Sequence, residues 1–318
     1  MKKISFCIPC YRSALSIQGV VQEIDDTMEK LSEYEYEIIL VNDYSPDDTL
    51  SVIREICANN PRVTGIHLSR NFGQHAALMA GMQQSSGDVV VCLDDDGQTP
   101  ACEVHKLLLK IEEGYDVVYA KYSNKLHSKF RNFGTKINEL MTRFMLGKPK
   151  DLQVTSYFAA RRFVVDNMLT YQNSFPYVIG LVLRATKNIA NVEVTHRERT
   201  TGSSGYTISK LFGLWFNGFT AFSIKPLRIA TFVGCFSAVM GFMYGIYIII
   251  RKLVDPRVVL GFSSIMAAIL FFCGMIMIML GLIGEYIGRM YISMNNSPQY
   301  LVKEVIEPVK EEEYGTKN

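Results

Sequence analysis

Val89-Val90-Val91-Cys92-Leu93-Asp94-Asp95-Asp96-Gly97 sets an uninterrupted apolar run against three consecutive carboxylates. The run is short, rich in β-branched residues and closed by turn formers, so it reads as a buried strand rather than a helix. The same pattern recurs along the chain. Apolar runs at 4–8, 37–41, 63–68, 88–93 and 116–120 alternate with helical periodicity at 14–31, 49–58, 74–84 and 103–113. This alternation predicts an α/β fold built on a largely parallel sheet covered on both faces. A further strand pair is expected at 155–161 and 189–197. In such sheets ligands bind beyond the carboxyl ends of the strands. The polar clusters of this chain fall there, after Ile8, after Val41 and after Leu93.

Three carboxylates at a strand end repel one another unless a cation or a positively charged ligand neutralises them. Hard divalent cations take oxygen ligands, and Mg²⁺ commonly holds phosphates against one or two carboxylates. The triplet therefore predicts a metal–diphosphate site, against the alternative of a solvated acidic turn. A second cluster, Asn42-Asp43-Tyr44-Ser45-Pro46-Asp47-Asp48-Thr49, follows the strand at 37–41. Asp47 or Asp48 is expected to cap the helix beginning at Thr49. Asp43, at the strand's carboxyl end, can accept hydrogen bonds from a nucleobase N–H; a purely capping role for the stretch is the alternative.

The formal net charge of +2 gives no support to a nucleic-acid partner. The seven cysteines are scattered, several in apolar runs. Cys7-x-x-Cys10 has no second pair or histidine cluster behind it, so buried reduced thiols are expected rather than a zinc or redox pair. The chain opens on Met1-Lys2-Lys3 and passes straight into a strand pattern without a signal-peptide core, which places the N-terminal domain in the cytoplasm.

Mean hydropathy is +0.11, high for a fully soluble enzyme, and the excess is concentrated beyond Leu227. Residues 227–250 carry one charge, Arg228, and at about 1.5 Å per residue span about 36 Å, enough for a bilayer core of about 30 Å. A charged connector with Pro256 leads to a second apolar run ending near Ile287, where Glu285 and Arg289 are i, i+4 neighbours able to pair. The expected organisation is a cytosolic catalytic domain over 1–205, an amphipathic, aromatic-rich interfacial segment over 206–226, transmembrane helices at 227–250 and 258–287, and a cytosolic tail over 289–318, loose beyond Asn295. The basic stretch 124–150 includes Lys129, Arg131, Lys136, Arg143 and Lys148. It suits either a lipid phosphate or anionic headgroups.

Taken in order, these segments resemble family 2 glycosyltransferases, in the branch of dolichyl-phosphate mannose synthase and the bacterial polyprenyl-phosphate glycosyltransferases. Ile8-Pro9-Cys10-Tyr11 is similar to the family's opening P-x-Y-N-E loop, and Val41-Asn42-Asp43-Tyr44-Ser45 to its D-D-G-S loop. Leu68-Ser69-Arg70-Asn71-Phe72-Gly73 with Ala80-Gly81, Asp94-x-Asp96 with Gln98 and Pro100, and Gly284-Glu285-Tyr286-Ile287-Gly288-Arg289 continue the match. The resemblance implies a GT-A fold, a UDP- or GDP-sugar donor, Mg²⁺ or Mn²⁺, a polyprenyl-phosphate acceptor such as undecaprenyl phosphate, and a homo-oligomer in the cytoplasmic membrane. By position, Pro9, Tyr11 and Asp43 would frame base and ribose, with Asp95 also on the donor, while Asp94 and Asp96 would hold the metal. His196, Arg199, Gly202, Ser203 and Tyr206 resemble a late loop that closes over the donor phosphates, where a guanidinium binds phosphate bidentately. Arg12 and Ser13 stand where the family has Asn and Glu, Asn42 replaces an Asp, and Thr99 another. These departures leave the nucleotide open.

The chemistry expected is a single displacement with inversion. A phosphate monoester acceptor is largely ionised at neutral pH, its second pKa being about 6, and needs no general base. Asp151 is the one candidate carboxylate placed after the Asp94–Asp96 cluster. Transfer to a glycan hydroxyl, or nucleotide-sugar binding without turnover, are the alternative readings.

Overall fold

Why the apolar runs become strands is clearest at the centre of the sheet. A computed structural model describes residues 2–122, 148–149, 151–195, 225–254, 262–294 and 298–309. Strand β1 (Lys2–Cys10) lies between β2 (Tyr34–Asn42) and β4 (Val89–Cys92), both parallel to it. Buried on both faces, it reads as a continuous apolar run rather than an alternation. Helices α1 (Ile17–Met28), α2 (Thr49–Asn59), α3 (Gln74–Gln84) and α4 (Val104–Glu112) connect these strands with β3 (Val63–Leu68) and β5 (Val117–Tyr122). Then come β6 (Phe158–Arg161), α5 (Arg162–Leu169), α6 (Val178–Ala185) and β7 (Ile189–Val194).

The eight-stranded sheet runs β7-β5-β6-β4-β1-β2-β3-β8. It is parallel through β3, β2, β1 and β4, but β6 is antiparallel to both β4 and β5. The fold is the α/β arrangement expected, with one correction. The strands near 155–161 and 189–197 form, but they are not a pair: β5 lies between them and pairs with both. Local pattern can mark a strand, whereas its neighbour is chosen by which edge is free.

The core packs Phe6, Ile8, Ile38, Leu40 and Val91 of the strands against Ile17, Ile24, Ile53 and Leu107 of the helices. Each such buried side chain contributes roughly 1.5–3 kcal/mol relative to exposure. Cys7, Cys10, Cys57 and Cys92 are free and buried, and burial pushes their thiols up, as inert core residues require.

The tail holds a second correction. Residues expected to be loose form β8 (Val302–Ile306), antiparallel to β3. Ser69 N–H donates to the Leu301 carbonyl at 2.9 Å, Val309 N–H to that of Cys57 at 2.9 Å, and Arg54 pairs with Glu304 at 2.7 Å. Without β8, β3 would present a row of unpaired backbone groups at the sheet edge. Gly65 lies beneath Ile306, whose side chain would crowd any larger residue there.

The chain divides into two units, residues 1–213 with 296–318, and residues 214–295. The second contains α7 (Lys225–Val254) and α8 (Phe262–Met294), 30 and 33 residues long. Each contains an 18-residue apolar window, Ala230–Tyr247 and Phe271–Gly288, with none of its residues buried. Met279 fills the space beside Gly234 and Phe272 that beside Gly241, so advancing along α7 retreats along α8: an antiparallel hairpin. Helix α8 runs past the apolar stretch expected to end at 287, because backbone hydrogen bonding continues where hydropathy falls.

Candidate active site

Because β1, β2, β3 and β4 are parallel, the segments after Cys10, Asn42, Leu68 and Cys92 emerge at one edge of the sheet. Every sharp turn there has a local cause. Gly97 and Gly73 adopt positive φ of 72° and 89°, and so, at 61° and 54°, do Arg12 and Tyr44. Left-handed backbone is unfavourable for such side chains, and two instances on neighbouring loops mark a rim whose shape is imposed by its surroundings.

Asp94 sits deepest. Gln74 Nε2 donates to its Oδ1 at 3.0 Å and Ser156 Oγ to its Oδ2. Burial, with Asp96 and Asp95 adding like charge, pushes its carboxyl up to about 6 against the pull of those two donors. Asp96 Oδ1 accepts the Gln98 N–H at 3.1 Å. Asp95 has different partners: its Oδ2 accepts the Tyr11 N–H at 3.0 Å and the Ser13 hydroxyl. Asp43 is 3% exposed, and its two oxygens accept the Phe72 and Gly73 N–H groups at 2.7 and 2.8 Å. Burial is the larger influence on Asp43 too, raising its pKa against those bonds. The carboxylate expected to meet a base is thus a buried clamp on the β3–α3 loop; a base would have to share oxygens already in use.

Asp47, rather than Asp48, serves the start of α2, its Oδ1 accepting the Thr49 N–H at 3.3 Å and hydroxyl at 2.6 Å. Tyr11 and Tyr44 are about half exposed, offering aromatic faces beside Pro9 and Asn42 at the ends of paired strands. Tyr44 stacks on His67 with 5.9 Å between ring centroids. Asp151 is exposed in the turn before Leu152. Lys148 is buried, its ammonium donating to the Leu152 carbonyl, so it is no part of a solvated basic face. Lys129, Arg131, Lys136, Arg143, Arg199 and Ser203 lie outside the described residues, as do the rest of the late loop and 206–224.

Sequence reasoning missed Gln74, Ser156 and Ser16, and met Ser13 only as a departure from the family's opening loop. Gln74 had a signal, standing directly after the matched stretch 68–73. Ser156 had none: it lies 62 residues from Asp94 and arrives only because Phe158 pairs with Cys92.

The donor set is hard oxygen. Among the described residues no group of three or more His, Cys, Asp or Glu converges as a metal cage. Two carboxylates, Asp94 and Asp96, fit a divalent cation that takes its remaining ligands from a diphosphate and water. Residues 5–169 match the model of glycosyl transferase family 2. The chain belongs to that family. Residues 225–290 of this glycosyltransferase match the GtrB C-terminal hairpin, the segment formed by α7 and α8. The undecaprenyl-phosphate 4-deoxy-4-formamido-L-arabinose transferase of Proteus mirabilis (strain HI4320) is 33% identical over 309 residues, 96% of this chain and 94% of that protein. Its counterpart in Serratia proteamaculans (strain 568) is 34% identical over 310 residues, with the same coverage of 96% and 94%. Among solved structures, glucosyl-3-phosphoglycerate synthase of Mycobacterium tuberculosis, in complex with Mn²⁺, uridine diphosphate and phosphoglyceric acid, aligns with a TM-score of 0.52 at 19% identity. That alignment covers 68% of this chain and 75% of the other, and establishes the shared GT-A fold.

Proposed function

We propose that this glycosyltransferase moves a sugar from a nucleotide-sugar to undecaprenyl phosphate at the cytoplasmic face of the membrane, inverting the anomeric centre. The observation that carries the reading is the match over 96% of the chain to transferases named for undecaprenyl phosphate. Asp94 and Asp96 hold Mg²⁺ or Mn²⁺, which when bound offsets the charge developing on the nucleoside diphosphate. Gln74 and Ser156 fix the Asp94 carboxylate in advance of substrate. Pro9 and Tyr11 frame the base and ribose, Arg199 and Ser203 close on the donor phosphates, and Lys129, Arg131, Lys136 and Arg143 receive the lipid phosphate. That phosphate is its own nucleophile, so no general base is required; Asp151 is the carboxylate to test should one prove necessary. Strand β8 supports a multi-pass topology with both ends of the hairpin on one side. If α7 and α8 both cross the bilayer, the chain returns to the side it left, where β8 rejoins its sheet.

The test incubates the full-length protein in detergent with labelled UDP- and GDP-sugars, UDP-4-deoxy-4-formamido-L-arabinose among them, Mg²⁺ or Mn²⁺, and undecaprenyl phosphate. A labelled lipid is expected, and Asp96→Ala should reduce its formation by about 10²–10³-fold, the scale of losing one charge-stabilising group. Label appearing only on glycan hydroxyls would replace this acceptor. Donor binding with no transfer to any acceptor would make the protein a binder.

A further inference from the structure

The three aspartates after β4 do not share one task. Asp94 and Asp96 have partners on α3, before β6 and in their own turn. Asp95 reaches the other way, to the loop that follows β1. Its Oδ2 takes the Tyr11 N–H at 3.0 Å and the Ser13 hydroxyl, and its backbone carbonyl takes the Ser16 hydroxyl at 2.6 Å. Ser16 stands at the N-cap of α1 yet makes no side-chain cap bond; its hydroxyl is turned to Asp95 instead. The far side of the same loop is held by β2–α2 groups, Arg12 N–H on Ser45 Oγ at 2.7 Å and Ser13 N–H on Thr49 Oγ1 at 2.9 Å. Between these two sets of bonds Arg12 is kept at a φ of 61°. Ser13 itself is 2% exposed, so its hydroxyl has Asp95 in place of water.

We propose that Asp95 is a positioning residue: it latches the loop carrying Tyr11 to the loop carrying Asp94 and Asp96, and Ser13 and Asp95 form one exchangeable hydrogen-bonded unit. The latch joins the end of the site that meets the base to the end that meets the diphosphate. A donor can bridge the two ends only while they keep their register, and this consequence rests on the donor site proposed above. The opening loop of the resembling family has Glu where Ser13 stands. The contact thus offers a reciprocal form: the carboxylate supplied from position 13 onto a small residue at 95.

Four full-length proteins in detergent decide it: wild type, Asp95→Ala, Ser13→Glu and Ser13→Glu/Asp95→Ala. Each is measured by calorimetric titration with UDP and with GDP in the presence of Mn²⁺, and by thermal unfolding without nucleotide. Asp95→Ala should weaken nucleotide binding by at least about tenfold by freeing the loop. Ser13→Glu should do the same by setting a second carboxylate against Asp95, and the double variant should recover to within about threefold of wild type. Additive losses in the double variant, or undiminished binding in Asp95→Ala, would overturn the latch. Should Asp95→Ala fail to fold, Asp95→Asn, which keeps an oxygen for the Tyr11 N–H, takes its place with a smaller expected loss. If the wild type binds neither nucleotide, the proposed function falls. The latch is then judged by unfolding alone, where the midpoint of the double variant must exceed that of both single variants.

Discussion

Helices α3 and α8 are both apolar around much of their circumference, and they have opposite fates. In α3 every residue from Ala76 to Met82 is buried, with Gly81 set against Val41 and Cys7 of the sheet and α5 and α6 on the other side. In α8, Phe271, Ile276, Met277 and Ile278 are all more than half exposed within their own unit. A helix hydrophobic all round must be covered by something. For α3 that cover is protein, and eleven residues suffice to reach across the sheet. For α8 no protein cover exists within its unit among the described residues, and the 33-residue length and glycine-spaced packing on α7 suit a bilayer. Composition alone does not separate the two helices; length and neighbours do.

Placing the same charge in each helix sharpens the contrast. Ala77 is fully buried, and Ala77→Arg should abolish the folded catalytic unit, a loss above about 4 kcal/mol, since the guanidinium has neither space nor partner. The check is recovery of folded, nucleotide-binding protein. Met277→Arg should instead cost about 3 kcal/mol of membrane insertion while the catalytic unit keeps its fold, read as increased extraction from membranes at alkaline pH. Equal damage to the catalytic unit by both would break the comparison.

His75, in the first turn of α3, tests whether that cover is as dry as it looks. Its Nδ1 has no hydrogen-bond partner among the described residues and its ring meets the edge of Tyr177 at 5.2 Å. Burial lowers its pKa from 6.5 to about 4. A base with a depressed native pKa is protonated first in the unfolded chain, so its contribution is intact above pH 6.5 and lost as pH falls toward 4. That loss amounts to about 3 kcal/mol at most. In denaturant titrations His75→Gln should show a shallower decline over that interval. An unchanged acid limb would mean that the ring is solvated.

The smallest effect is expected at the sheet edge. A Cβ on Gly65 would lie 2.8 Å from Ile53 Cγ2 and 3.1 Å from Ile306 Cδ1. Gly65→Ala should destabilise the unit by about 1–3 kcal/mol. Combining it with Ile306→Val should cost less than the sum, because part of the crowding is removed. Simple additivity in thermal unfolding would show that β8 does not press on β3.

The order of strands and helices was readable along the chain because period and turn chemistry are local. Buried strands must be apolar, and loops at their carboxyl ends must carry the polar residues. Gln74–Gln84 and Val63–Leu68 form over the residues where that pattern lies. The acidic cluster was readable for the same reason: Asp94, Asp95 and Asp96 are consecutive, and an apolar strand directly before them announces where they emerge. The two long apolar helices were readable from length alone. What the chain order could not carry was partnership across distance. Strand β5 slips between β6 and β7, the tail closes the β3 edge, and Ser156 reaches Asp94 because β6 joins β4. Nor could the chain's own pattern, without the family resemblance, divide three adjacent carboxylates by task, since a carboxylate's role follows from the donors that reach it. Asp43 and Asp95 became clamps on neighbouring loops because backbone N–H groups stranded at the sheet edge needed acceptors, and only the assembled sheet brings those groups within 3.0 Å.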